Sequence, residues 1–150
     1  MLEAATGFTG IHSQTDHVFL GNSAIQLVTG CEWKASTVPG SPGDYHALGR
    51  NATNFSVRPA GCFLDTEHTV DGTHYDPNTF AYSGIWAFFW SSNRFQKRKS
   101  DGTLDPAYSA AKAAYNYDIN FAETGIARDV NGADAGIGRS VRCVRNPEVW

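Results

Sequence analysis

Apolar and polar positions alternate most cleanly over AYNYDINF, residues 114–121. Tyr115, Tyr117, Ile119 and Phe121 share one face, and Asn116, Asp118 and Asn120 share the other. A period of two predicts a strand with one packed face and one face turned to water or a ligand. GIWAFFWSS, 84–92, is apolar on both faces: Ile85, Ala87 and Phe89 against Trp86, Phe88 and Trp90. That pattern predicts a strand covered on both sides. A third strand is expected over about 139–145, with Val141, Cys143 and Arg145 pointing one way and Arg142 and Val144 the other.

Between these runs the pattern is broken by turn residues. Residues 1–12 read as a polar start. Residues 13–29 hold Val18, Phe19, Ile25, Leu27 and Val28, interrupted by Gly21 and Asn22, which predicts a short helix, a turn and a second short helix or strand. The stretch 37–54 is rich in Pro and Gly with no period, so a long loop is expected there. FSVRPAGCFL, 55–64, reads as strand, bend, strand, because Pro59 cannot serve a central strand. Residues 65–83 are polar, with an Asp-Gly turn signal at 71–72. Residues 93–107 and 122–137 read as loops. No repeat and no composition break divides the chain, so one domain over 1–150 is expected.

Composition sharpens the fold class more than the function. Four Trp, six Tyr and nine Phe exclude a disordered chain, and low charge with many turn residues favours a loop-rich α+β domain over a helical bundle. The net charge of −3 provides no general attraction for nucleic acid or an anionic membrane. No apolar run is long enough to span a bilayer, which takes about 18 residues or more. The opening MLEAATGFTG does not read as a secretory signal peptide. Cys31, Cys62 and Cys143 are too few for a disulfide framework and too scattered for a zinc motif. One disulfide with one free thiol, or three separate thiols, both remain open.

Several motifs together resemble the Fibrobacter succinogenes major paralogous domain family. They are Trp90-Ser91-Ser92 closing an aromatic strand, Phe55-Ser56 followed by Pro59-Ala60-Gly61, Leu20-Gly21 with Gly30, Trp33 and Lys34, and Gly138 with Ser140-Val141-Arg142-Cys143-Val144-Arg145. The likeness covers roughly 19–146. Arg139 stands where that family carries an aromatic, and the first 17 residues depart from the family's usual opening. The resemblance implies a C-type lectin-like fold, a compact and loop-rich α+β domain with a small antiparallel sheet. It also implies kinship with the variable proteins of diversity-generating retroelements, and a place in a bacterial surface or secreted protein, as in that family's lipoproteins.

Cys143 has no neighbouring base in sequence, so a structural thiol is the simpler reading. Arg142 and Arg145 suit structural pairing at a sheet edge, whereas Arg128 and Arg139 lie in more polar surroundings that suit a binding surface. Arg94 with Lys97, Arg98 and Lys99 is one short basic cluster followed by Asp101 and Asp105, which reads as a solvated loop and not a nucleic-acid site. Asp129, Asn131 and Asp134 carry oxygens that calcium accepts, but no EF-hand series and no lectin Glu-Pro-Asn or Trp-Asn-Asp motif accompanies them, so no cofactor is expected. Tyr75, Phe80, Tyr82 and Tyr108 are aromatics in polar loops, either core plugs or contact platforms.

The expectation is therefore a non-enzymatic ligand-binding module, extracellular or at the cell surface, recognising a protein or a glycan. Its site would be Asn116, Asp118, Asn120, Arg128, Asp129, Asn131, Asp134 and Arg139. Two alternatives stand beside it: a structural or tip component of a surface fibre, and a cysteine-dependent enzyme of the kind that modifies sulfatases.

Overall fold

The computed structural model describes residues 18–70, 72–94, 101–103, 114–129 and 138–141, with backbone alone at 70, 92–94, 114 and 129. Eight strands and one helical turn are seen in them: β1 Phe19–Leu20, α1 Ala24–Leu27, β2 Cys62–Leu64, β3 His68–Val70, β4 Thr73–Tyr75, β5 Thr79–Ala81, β6 Trp86–Arg94, β7 Ala114–Asn120 and β8 Ile126–Asp129. A four-stranded antiparallel sheet runs β1-β8-β7-β6, and two ribbons, β2-β5 and β3-β4, accompany it. This is a mixed α+β, loop-rich domain with small antiparallel sheets.

The two longest strands fall where alternation placed them. β6 and β7 pair from Trp86↔Asn120 to Trp90↔Asn116, with an irregularity before Arg94↔Ala114. α1 is a single turn, too short to be stable alone. It is held from outside: the Ala24 N–H donates to the Thr124 carbonyl at 3.0 Å, and Ala24, Ile25 and Leu27 are buried. β3 and β4 pair antiparallel, with Val70 opposite Thr73 and Gly72 at φ +74°.

Register sorts the side chains of the large sheet into two layers. Ala87, Phe89, Tyr117 and Ile119 share one face with Leu20 and Ile126. There all but Leu20 meet Ile25, Leu27, Val28, Trp33 and Val57 in the larger core. Trp86, Phe88, Trp90, Asn116, Asp118 and Asn120 share the other face with Phe19 and Ala127. A second, smaller core lies on this side, made of Cys62, Leu64, Ala81 and Phe88 with Tyr75, Tyr82 and Trp86 packed against it.

The loop at 37–54 is ordered by polar contacts. The Arg50 guanidinium donates to the Pro42 and Asp44 carbonyls at 3.0 and 2.9 Å. Asp44 in turn accepts from the Gly40 and His46 backbone N–H groups, both at 3.0 Å. These two bonds hold its carboxyl below the usual carboxylate value.

Residues 138–141 act as a short extended bridge between sheet and ribbon. Gly138 exchanges two hydrogen bonds with Phe63 of β2, at 2.7 and 2.9 Å, and Ser140 pairs with Phe89 of β6 in parallel. The expected strand at 139–145 is thus seen at its start; residues 142–145 lie outside the described residues, as does most of the expected loop at 93–107. Part of the polar stretch 65–83 is not loop: it holds β3, β4 and β5.

Candidate functional site

The polar face of β7 does not meet water. Asn116 and Asp118 are 0% exposed and Asn120 is 8% exposed, which corrects the expectation of a wet recognition face. β7 lies inside the sheet, and Arg139 closes over its polar face. The Asn116 amide donates to Asp118 Oδ1 at 2.6 Å, and Arg139 donates to the same oxygen at 3.2 Å. Asn120 Oδ1 accepts from the Ala122 N–H at 2.9 Å. Buried polar groups persist only when paired in this way.

Arg139 also departs from expectation, because it is not a surface residue. Its side chain is 8% exposed, and its guanidinium lies 5.1 Å from the Phe88 ring centroid and 5.3 Å from that of Trp90. The charge is thus held by one carboxylate and two aromatic faces. Arg128 belongs to the opposite face, level with Tyr117, and sits 4.7 Å over the Tyr115 ring. It does not converge with Asp118 and Arg139. The backbone of Asp129 pairs with Asn116; its side chain, and Asn131 and Asp134, lie outside the described residues.

Among the described residues no group of three metal-ligating side chains comes together. Cys31 and Cys62 are both free thiols, exposed and buried respectively, and are not bonded to each other; Cys143 lies outside the described residues. Burial pushes the Cys62 thiol up to about 11, the Arg139 charge opposing and the Asp118 charge adding to the rise. At neutral pH this sulfur is a protonated thiol, a poor nucleophile.

The feature that does reach the surface is aromatic. Successive rings run Phe19, Trp86, Phe88, Tyr82 and Tyr75, with centroid separations of 5.9, 5.4, 6.2 and 4.8 Å. All but Phe88 are half-buried, so the ladder lies partly in the smaller core and partly open. Tyr82 holds φ +64°, a backbone state that a bulky residue adopts only when its surroundings impose it. Its hydroxyl lies 3.0 Å from Nδ1 of the exposed His68. Apart from the ladder, Phe80 stands on β5 at 79% exposure, edge-on to Phe63 at 5.4 Å.

Tyr75, Phe80 and Tyr82 were among the aromatics singled out in sequence; Tyr108 lies outside the described residues. Phe19, Phe63, Trp86, Phe88 and His68 were not read as surface partners. Alternation in β6 marked Trp86 and Phe88 as same-face neighbours, but what covers that face depends on β2, β5 and residues 138–141. Compared with protein-family models, with curated proteins and with solved structures, the chain matches none.

Proposed function

We propose that this domain is a binding module of a bacterial surface or secreted protein, recognising a protein or glycan ligand through its aromatic surface. One observation carries the reading: aromatic rings reach the surface as a half-buried ladder and, on the outer face of the β2-β5 ribbon, as the Phe80–Phe63 pair. Aromatic side chains give large contact area at little cost in side-chain entropy, and they dominate recognition surfaces. The C-type lectin-like resemblance adds to this reading, with the recognition surface moved from the face of β7 to the aromatic ladder.

Glycan and protein arrays probed with the intact chain test the proposal. Tyr75→Ala and Phe80→Ala should each remove most of the signal on any ligand found. If binding survives both while Arg128→Ala abolishes it, the surface is misplaced. A second reading, packing within a surface fibre, draws on Leu48, Phe80 and Val141, which are 93, 79 and 74% exposed. Self-association in light scattering, lost on substituting these residues, would support it.

A further inference from the structure

Phe80 exposes more than its ring. In an antiparallel ladder, hydrogen-bonded and non-hydrogen-bonded pairs alternate. Phe63 gives its N–H to Gly138 O and accepts from Gly138 N–H, so its backbone groups point away from β5. The facing pair Phe63↔Phe80 is therefore non-bonded, and the β2–β5 bonds fall at Cys62↔Ala81 and Leu64↔Thr79. The N–H and C=O of Phe80 consequently point off the outer edge of β5, where neither has a partner among the described residues.

Side-chain alternation puts the Phe80 and Phe63 rings on the outer face, while Cys62, Leu64 and Ala81 pack inward. Phe63 in turn lies over Gly138, where an added Cβ would sit 2.9 Å from that of Phe63. An open donor–acceptor pair and an exposed aromatic shelf thus coincide at one residue.

Charge selects the occupant. Between Arg58 and Arg94 the chain has no Lys or Arg, but it carries Asp65, Glu67, Asp71 and Asp76. Asp65 and Glu67 follow the end of β2, Asp76 precedes β5, and all three are exposed at the same end of the ribbon. Natural edges are commonly blunted by Lys or Pro, and β5 has neither within it.

We propose that the β5 edge at Phe80 takes an extended peptide of a partner protein by strand addition. The peptide sets an apolar side chain against Phe80 and Phe63, with Lys or Arg residues toward Asp65, Glu67 and Asp76. Main-chain bonds supply affinity in this mode and alternate side chains supply selectivity. The proposal rests on the recognition reading above and narrows its ligand to a basic, extended peptide.

The test uses the intact chain and a short fluorescent peptide that alternates Val or Phe with Thr and ends in three lysines. Anisotropy should show binding that weakens as salt rises. Phe80→Thr, which keeps a strand-forming residue, should weaken it roughly tenfold or more, as expected for losing a buried phenyl ring. N-methylating alternate peptide amides on one edge should abolish binding, and methylating the other set should not. Replacing the lysines with glutamates should also abolish it.

Equal tolerance of both methylation sets, or indifference to Phe80→Thr in a folded protein, would overturn strand addition. The broader recognition reading would survive either result. Failure of the peptide to bind while an array ligand does bind would likewise overturn only the peptide assignment. A wild-type dimer that Phe80→Thr converts to monomer would put a second copy on this edge and overturn it as well. If Phe80→Thr does not fold, the two methylated peptides decide the question on the wild-type chain.

Discussion

Replacing Arg139 with Met should destabilise this domain, because it takes a cation away from a carboxylate in the interior. Asp118 is 0% exposed, and Arg139 Nη1 lies 3.2 Å from its Oδ1. Met keeps most of the apolar stem packed against Phe88 and Trp90, so the change is chiefly electrostatic. Removing one partner of a buried ion pair costs about 3–5 kcal/mol, since the remaining charge keeps its desolvation penalty. The Asn116 amide still donates to Asp118 Oδ1 at 2.6 Å, which places the expectation near the lower end, about 3 kcal/mol. A domain of this size has about 5–15 kcal/mol in total, so the loss is a large share. Urea unfolding followed by tryptophan fluorescence reads it directly, as a lower midpoint at an unchanged slope. The paired variant Asp118→Leu with Arg139→Met should recover much of the loss, because both charges leave together. A loss below about 1 kcal/mol for Arg139→Met would refute the reasoning. It would mean that Asp118 behaves as a hydrated surface group and that residues 138–141 do not close over the sheet.

Four further outcomes follow from local geometry. Gly61→Ala should cost well over 2 kcal/mol by thermal or urea unfolding, because φ is +68° and the new Cβ would sit 1.9 Å from the Ala81 carbonyl oxygen. Gly72→Ala, at φ +74° with open space around it, should cost only about 1–2 kcal/mol; equal losses at the two positions would count against the close approach of 61 to 81. In the folded chain at pH 8, iodoacetamide should label exposed Cys31 well before Cys62, as read by peptide mass spectrometry. The same Cys62 shift has a stability consequence: above its ordinary value of 9.0 the unfolded thiol ionises while the folded one stays protonated up to about 11. Stability should therefore fall with rising pH across that window, and Cys62→Ala should remove this part of the slope. Asp44 should titrate below its ordinary 3.8 in carboxyl NMR, held down by the Gly40 and His46 N–H groups; a normal or raised value would mean the 37–54 loop is not held as described.

Sequence was most informative where one local rule sufficed. The period of two over 114–121 and the doubly apolar run at 84–92 identified β7 and β6. The Asp-Gly pair marked a hairpin, although the flanking strands were too short and polar to show a pattern of their own. Around Pro59 no strand runs through: Val57 makes only an isolated bridge to Val28, and β2 begins at Cys62. The candidate site was harder to read. Asn116, Asp118 and Asn120 form a polar face in any strand, and whether that face is wet depends on what the rest of the chain lays over it. Arg139 looked like a surface residue because its sequence neighbours are polar and small; its actual neighbours are Asp118, Phe88 and Trp90.

The sequence by itself determined the class of domain: mixed, loop-rich, aromatic, with two long strands whose faces were assigned by alternation. Alternation is a property of the backbone and needs no knowledge of partners. Tertiary structure alone decided which faces are covered. Residues 138–141 pair with both β2 and β6, and this non-local contact buries the polar face of β7 that sequence had offered to a ligand. The same packing leaves Phe80, an apolar residue by type, exposed. Solvent exposure is a property of the assembled layers, and residue type predicts it only where those layers are already known.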